Sequence, residues 1–213
     1  MSKKQTSLVH DTIIITVITL AAGILLGLVH GITAGPIAAQ QAATKAASQK
    51  AVFADAESFE AVADWDADSF AQNLLDAGLD QTTVNGVDIA KDGSGNTLGY
   101  VVDASNNEGY GGEVEVMVGV AIAEDGTYTV NGISFLTLSE TAGMGMKAAD
   151  PTFKDQFNGL ATGDTKQIEY TKTGKSADNQ IDAISGATVT TNAVTKAVNG
   201  ALKAAEYLEG SAS

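Results

Sequence analysis

The sequence predicts an α+β protein in which a single N-terminal transmembrane helix precedes an extracytoplasmic domain with an antiparallel sheet and flanking helices. Three patterns support this fold class. An uncharged apolar run covers 13–32, apolar and polar residues alternate in stretches between 83 and 138, and an alanine- and valine-rich helical pattern follows 188. An apolar run of about 20 residues is long enough to span a bilayer. Alternation with a period of two is typical of strands with one packed face.

The composition excludes several classes of protein. The formal net charge of −14 disfavours nucleic acid as a partner, because binding it requires clustered Lys and Arg. The chain has no cysteine and no arginine, and its only histidines are His10 and His30, at the ends of the apolar run. Disulfides, thiolate nucleophiles, cysteine-ligated metals and, after residue 32, histidine-based triads or metal sites are therefore excluded. Difficult chemistry in this domain needs a cofactor.

The apolar run from Ile13 to Ile32 contains twenty residues without a formal charge. At helical rise it covers the roughly 30 Å hydrocarbon core of a bilayer. Lys3 and Lys4 precede it and the next lysine is Lys45, so the positive-inside rule predicts a single-pass cell-membrane protein with a cytoplasmic N-terminus. The alternative is a cleaved signal peptide, but the run is longer than a typical h-region, which favours a retained anchor.

The predicted organisation follows from this anchor. Residues 1–10 form the cytoplasmic N-terminus, 11–33 the transmembrane helix, 34–52 a helical stalk and 53–213 the extracytoplasmic domain. Within the domain, periodicity and turn signals predict helices over 66–77 and 151–158, a long C-terminal helix, and strands over 83–91, 97–104, 112–124, 127–138 and around 166–172.

One of these strands indicates how the sheet packs. In the strand over 112–124, Val114 and the valines two and four residues later share one face, whereas Glu115 and Met117 point to the other. This alternation predicts an antiparallel sheet with one packed face.

Two glycines stand in the segment Ser139–Lys147, which directly follows a predicted strand and is called the glycine loop below. Gly143 and Gly145 allow a backbone to approach a ligand closely or to adopt a positive φ. The alternative is an ordinary flexible connection. The similar segment 109–112 is interpreted as the plain start of a strand.

The beginning of the C-terminal helix is the second candidate for chemistry. Ser185 is expected to cap the helix, while Gly186 and Ala187 keep its N–H groups accessible to an anion. The helix carries an apolar stripe, and at about 100° per residue Thr190 falls close to the centre of that stripe. Thr190 is therefore expected to face the body of the domain. The alternative is a helix cap followed by a core-facing threonine.

Both stretches resemble motifs of a known family. The pattern D-x-x-S-G-A-T-x-T resembles the flavinylation motif of FMN-binding domains, which occur in the G subunit of the Rnf ferredoxin:NAD+ oxidoreductase complex and in the C subunit of the sodium-translocating NADH:quinone reductase. The matching residues here are Asp182, Ser185, Gly186, Ala187, Thr188 and Thr190. Family members commonly carry E-T-P-G-L-G, and this chain is similar from Glu140 to Gly145, with Ala142 and Met144 as departures. The resemblance extends over the whole chain and is best to the Rnf protein.

The resemblance implies a covalent cofactor. FMN would be attached through its phosphate to the hydroxyl of Thr190 by a dedicated flavin transferase that uses FAD as donor. Such attachment explains how a domain without arginine holds a phosphate. The cofactor-binding residues implied by the two motifs are Glu140, Thr141, Gly143, Met144, Gly145, Ser185, Gly186, Ala187 and Thr188.

The resemblance also implies a function and partners. The chain would be an electron-relay subunit, not catalytic alone, of a complex that couples electron transfer between ferredoxin and NAD+ to sodium or proton translocation. Its partners would be the other membrane and peripheral Rnf subunits, the flavin transferase and the lipid bilayer. Two other interpretations fit the residues: a stand-alone membrane-anchored flavoprotein with a different electron acceptor, and a non-redox exported binding domain. The sequence contains no D-x-[DN]-x-[DN]-G calcium loop, and no metal site is predicted.

Overall fold

A computed structural model describes residues 2–63, 65–123 and 126–212, with side chains from residue 9 onward and up to residue 211. The chain divides into two compact units, 1–44 and 45–213. Helix α1, Ser2–Val52, runs through the first unit and contributes its last turns to the second. The predicted helical segment 34–52 therefore ends inside the second unit.

Helix α1 contains the predicted membrane segment. Among the described residues it is the one helix long and apolar enough to cross a membrane, with a mean hydropathy of 2.6 in its most apolar window. Pro36 lies inside this helix, four residues beyond the end of the apolar run. The large apolar side chains between Ile13 and Ile32 are exposed, as a lipid-facing helix requires.

A six-stranded antiparallel sheet forms the centre of the second unit, which confirms the predicted sheet. Its strands follow one another in space as in sequence, and each neighbouring pair is antiparallel. Their bounds are β1 Ser58–Ala61, β2 Thr82–Lys91, β3 Thr97–Gly109, β4 Gly112–Ile122, β5 Tyr128–Leu138 and β6 Leu160–Ala161. Because these strands are antiparallel, the β3–β4 hairpin and the C-terminal end of β5 lie at the same end of the sheet.

One face of the sheet is covered by the C-terminal helix α4, Thr188–Ala212. Its predicted stripe is confirmed, because Val194, Val198 and Leu202 are all buried against the valines of β3 and β4. Helix α2, Ala67–Asp76, also agrees with the sequence and begins at Asp66, whose carboxylate accepts the N–H groups of Asp68 and Ser69. The main core therefore lies between α4, α2 and the sheet.

The opposite face of the sheet is covered as well, so the expectation of one packed face is wrong at its centre. Met117 is fully buried there, in a second cluster with Val101, Val52 and Phe53. Gly119 makes this packing possible, because a Cβ at that position would lie 2.7 Å from the carbonyl oxygen of Val52. The alternation within β4 carries no information about its packing partners, and the residues that cover Met117 come from the end of α1.

Polar groups on the same face join the end of α1 to the sheet. Lys45 Nζ lies 2.9 Å from Asp88 Oδ2, and Gln49 Nε2 donates a 3.1 Å hydrogen bond to the same oxygen. Nearby, burial raises the pKa of Asp103 to about 6, although a hydrogen bond from Asn85 acts in the opposite direction. This face therefore combines apolar contacts with a group of carboxylates.

The chain after β5 forms short elements that lead to α4. Helix α3, Pro151–Lys154, continues as a 3₁₀ turn over Asp155–Phe157, in agreement with the predicted helix over 151–158. The predicted strand around 166–172 is β7, Glu169–Thr171, and it pairs in parallel with β8, Gln180–Asp182, in a separate two-stranded sheet. Residues 183–187 connect β8 to the beginning of α4.

Candidate functional site

The beginning of α4 is organised by a turn at Gly186, where φ is +80°. The first intrahelical bond runs from Thr191 N–H to the Ala187 carbonyl, at 3.0 Å, so Ala187 occupies the cap position. Ser185 precedes the helix by three residues and makes no side-chain hydrogen bond within the described chain. The expectation that Ser185 caps α4 is therefore wrong, because the turn at Gly186 lies between Ser185 and the first helical residue, Thr188.

Thr191 stabilises this beginning instead. Its Oγ1 accepts a 3.1 Å hydrogen bond from Ile184 N–H and donates one of 3.0 Å to the Ala187 carbonyl. The hydroxyl therefore connects the turn before the helix to the first helical turn, which satisfies groups that a helix terminus otherwise leaves free.

Thr190 differs from its neighbour. It is 1% exposed, as its predicted inward position requires. Yet within the described residues its hydroxyl makes no hydrogen bond, whereas Thr195 Oγ1 donates to the carbonyl four residues earlier, as threonines in helices commonly do. No fully enclosed side-chain oxygen of the described chain lacks a partner, so the small accessible surface of Thr190 includes its hydroxyl. The hydroxyl of this buried residue therefore reaches the cavity that Thr190 lines, without a protein partner in the described chain.

The glycine loop contacts this hydroxyl. A Cβ on Gly145 would lie 2.6 Å from Thr190 Oγ1 and 2.7 Å from Glu140 Oε2, so only glycine permits the approach. The loop is a compact turn, because Met144 N–H and Met146 N–H both donate to the Thr141 carbonyl, at 3.1 and 3.2 Å. The two stretches singled out in the sequence therefore meet at Thr190.

Glu140 connects the glycine loop to the β3–β4 hairpin. Its Oε1 accepts a 2.9 Å hydrogen bond from Tyr110 N–H, and its Oε2 accepts one of 3.2 Å from Gly111 N–H. Gly111 also passes so close to Ser139 that a Cβ would collide with the Ser139 carbonyl oxygen. Segment 109–112 is thus a hairpin turn packed against the loop, and its interpretation as the plain start of a strand is wrong.

These elements surround a cavity of about 480 Å³. Ten residues line it: Tyr110, Glu140, Thr141, Met144, Gly145, Gly186, Ala187, Thr188, Val189 and Thr190. Three of them have exposed apolar or aromatic side chains at the rim, with 77% of Tyr110, 49% of Met144 and 50% of Val189 accessible. A mostly apolar cleft of this volume is within the usual range for organic ligands, about 300–1,000 Å³.

The residues around the cavity fit the phosphate and ring of a flavin. The N–H groups of residues 188–190 precede the first intrahelical bond of α4, and such groups favour an anion. Beside them stands the unpartnered Thr190 hydroxyl, and beyond them the apolar rim suits a planar ring system. No group of three or more acidic, histidine or cysteine side chains able to hold a metal occurs in the described ranges.

Comparison with known proteins agrees with this geometry. The FMN-binding domain model matches residues 109–203, a range that begins at the β3–β4 hairpin and ends in α4. The G subunit of the Na(+)-translocating ferredoxin:NAD(+) oxidoreductase complex of Acetobacterium woodii is 33% identical to this chain over 162 residues, 76% of this chain and 73% of that protein. The chain belongs to this G-subunit family.

Two further members of that family are similar over shorter ranges. The G subunit of the ion-translocating oxidoreductase complex of Methanosarcina acetivorans is 36% identical over 119 residues, 56% of this chain and 57% of that protein. The G subunit of the proton-translocating ferredoxin:NAD(+) oxidoreductase complex of Clostridium ljungdahlii is 38% identical over 108 residues, 50% of this chain and 53% of that protein. These two alignments therefore span little more than half of each relative.

In this G-subunit family member, the predicted site residues divide into two groups. Thr190 and seven of the nine cofactor-binding candidates line the cavity. Gly143 and Ser185 do not: Gly143 forms the turn of the glycine loop at φ +75°, and Ser185 lines a neighbouring cavity beside Lys147 and Ile184. The sequence reasoning missed Tyr110 and Val189, although the glycines around Tyr110 were a signal of a close backbone approach.

A third cavity lies on the other side of Thr188 and Val189, with a volume of about 490 Å³. Its charged pair is Glu108 and Lys196, whose Oε2 and Nζ lie 2.7 Å apart, and Asn192 Nδ2 donates to the same carboxylate oxygen at 3.2 Å. This pair lies beside the beginning of α4, so the lysine that borders this third cavity is already neutralised by a carboxylate.

Proposed function

We propose that this chain carries FMN bound by a phosphoester to Thr190 and relays electrons within a membrane complex that couples electron transfer between ferredoxin and NAD+ to ion translocation. The observation that carries the proposal is the hydroxyl of the buried Thr190, which has no hydrogen-bond partner in the described chain and borders a cavity at a helix N-terminus. The match to the FMN-binding domain model supports the choice of ligand.

Each part of the site has a defined task in this proposal. The N–H groups at the beginning of α4 stabilise the charge of the phosphodiester. Gly145 allows the loop to lie against the attachment point, and Glu140 holds the loop to the hairpin. Tyr110, Met144 and Val189 provide the apolar surface that holds the ring. The flavin itself supplies the one- or two-electron chemistry.

Gly143 and Ser185 act less directly in this scheme. Gly143 gives the loop its turn, since its φ of +75° is unfavourable for other residues. Ser185 is exposed and stands in the motif ahead of the turn at Gly186, where the flavin transferase would contact it. Thr188 lines the cavity within the first turn of α4.

The surroundings follow from the same proposal. Helix α1 anchors the domain in the cell membrane, and Lys3 and Lys4 keep the N-terminus in the cytoplasm while the domain lies outside. The partners are the other Rnf subunits, the bilayer and a flavin transferase that loads FMN from FAD. Relatives are named for sodium and for proton translocation, so either ion is compatible with the proposal.

The test is to load the full-length protein and locate the flavin. The wild-type chain and its variants are co-expressed with a flavin transferase, the denatured band is examined for flavin fluorescence, and the peptide containing Thr190 is analysed by mass spectrometry. We expect FMN on Thr190, no flavin in Thr190→Ala, and partial loading in Thr190→Ser, which keeps the hydroxyl. A dark wild-type band beside an active control substrate, or full loading of Thr190→Ala, would refute the assignment.

A further inference from the structure

The Thr190 hydroxyl lies beneath the glycine loop. Thr190 is 1% exposed, and the loop approaches so closely that a Cβ on Gly145 would lie 2.6 Å from Oγ1. An enzyme that attaches FMN has to bring the flavin phosphorus up to this oxygen. Taking the proposed function as its basis, we propose that the glycine loop is a lid that opens to admit the transferase, and that the Glu140 carboxylate is its latch.

The hydrogen bonds of the loop divide into two kinds. Those from Met144 N–H and Met146 N–H to the Thr141 carbonyl lie within the loop and survive if it moves as a unit. Those from Tyr110 N–H and Gly111 N–H to Glu140 connect the loop to the β3–β4 hairpin and break when the loop lifts. Because these two bonds end on a carboxylate, Glu140 holds much of the closing interaction.

The packing defines the segment that moves. Towards the C-terminus, Ala148 and Phe153 are buried in the main core and fix the chain. Towards the N-terminus, the loop is attached to the end of β5 at Leu138. Between these points Met144 and Met146 remain 49% and 38% exposed, so lifting the loop removes little apolar surface from the core. Segments with few buried contacts are the ones that open locally.

The step that requires opening is a phosphoryl-type transfer without oxidation or reduction. The Thr190 Oγ1–P bond forms with the FMN phosphorus while the P–O bond of the FAD pyrophosphate breaks. AMP leaves with that electron pair, and the hydroxyl proton passes to solvent. The incoming oxygen and the leaving oxygen lie roughly in line at phosphorus. In-line attack needs unobstructed space around Thr190 Oγ1, and Gly145 of the closed loop restricts that space.

The main variant, Glu140→Gln, weakens the latch without changing its size. The amide oxygen accepts one of the two hairpin N–H groups, but the NH2 group faces the other donor. The matched control is Glu113→Gln, which removes the same charge from an exposed position on β4 that has no partner in the described chain. A second variant, Gly145→Ala, holds the loop away from Thr190 by steric contact.

The experiment measures the initial rate of flavin incorporation. Full-length protein in detergent, made without transferase, is mixed with the enzyme and FAD, and covalent fluorescence is followed in time. Because the rate depends on the fraction of open molecules, we expect Glu140→Gln to load at least about fivefold faster than wild type. Gly145→Ala should also load faster, and Glu113→Gln should match wild type.

Amide hydrogen exchange supplies a readout that needs no transferase. We expect the Tyr110 and Gly111 amides to lose protection in Glu140→Gln and to keep it in Glu113→Gln. If both loop variants are loaded no faster than wild type, with an intact fold and a loaded wild type, the lid proposal is refuted and the proposed function is not. Unchanged exchange at the Tyr110 and Gly111 amides in Glu140→Gln would also refute only the lid proposal. A wild type that is never loaded would instead refute the proposed function, and the lid with it.

Discussion

Thr190 and Thr191 are adjacent at the beginning of α4 and almost equally buried, at 1% and 0% exposure, yet only Thr191 bonds its hydroxyl to the described protein. Thr191 joins the turn at Ile184 to the first helical carbonyl. Thr190 faces the cavity instead. The run of threonines at the start of this helix therefore separates two tasks, one structural and one chemical.

Removing the structural hydroxyl should affect stability and spare the cofactor. Thr191→Val keeps the shape but leaves the buried Ile184 N–H without its acceptor, which should lower the free energy of unfolding by about 1–3 kcal/mol. Chemical denaturation of the full-length protein in detergent measures this change. Thr195→Val is the control and should cost less, because its hydroxyl donates to a carbonyl inside the helix. Loss of flavin from Thr191→Val at unchanged stability would contradict the division of tasks.

Tyr110 should contact the bound ring. Its side chain is 77% exposed at the rim of the cavity, and its backbone is held by Glu140. Aromatic rings stack on one another favourably, and a stacked phenol quenches flavin fluorescence. We expect Tyr110→Ala to be loaded normally and to fluoresce several-fold more per bound flavin in the native state. Tyr110→Phe keeps the aromatic ring, and we expect it to incorporate flavin to the same extent as wild type. An unchanged emission yield in Tyr110→Ala would place the flavin elsewhere.

Asp103 should make stability depend on pH. Burial raises its pKa from 3.8 to about 6, so between these values the folded protein keeps a proton that the unfolded chain has released. The free energy of unfolding therefore falls as pH rises through this window, by about 3 kcal/mol at pH 7. Asp103→Asn preserves an acceptor for Asn85 and removes the charge.

The comparison is between thermal unfolding curves of Asp103→Asn and wild type. We expect the variant to be more stable at pH 7, with a difference that shrinks as the pH approaches 4. A difference that stays constant over this range would show that charge burial at Asp103 is not its cause.

Met117 should be essential for packing, although its position in the strand pattern suggests an outer face. It is fully buried against Val52 and Phe53, and truncation of such a side chain leaves a cavity. We expect Met117→Ala to lower the free energy of unfolding by about 2–4 kcal/mol. Glu113→Ala, on an exposed position of the same strand, should change it by less than about 0.5 kcal/mol. Equal effects of the two variants would mean that the end of α1 does not cover this face in solution.

Elements with local signals were predictable from the sequence. Strands β2, β4 and β5 and helix α2 were predicted to within two residues of their observed bounds, because period-two alternation, amphipathic helical periodicity and turn residues act over a few residues. Strand β3 extends to Gly109, five residues beyond its predicted end at residue 104. The stripe of α4 followed from helical geometry, and with it the inward position of Thr190. The order of the two motifs along the chain likewise needs no tertiary information.

Contacts between segments distant in sequence depend on how the whole chain packs. Nothing local in β4 indicates that Val52 covers Met117, and nothing in Glu140 indicates that its partners are the amides of Tyr110 and Gly111. The delayed start of α4 is likewise invisible in the motif, since Ser185 has the side chain of a good cap. Periodicity reports which face of an element is apolar, whereas the partner of that face is chosen by the packing of the whole chain.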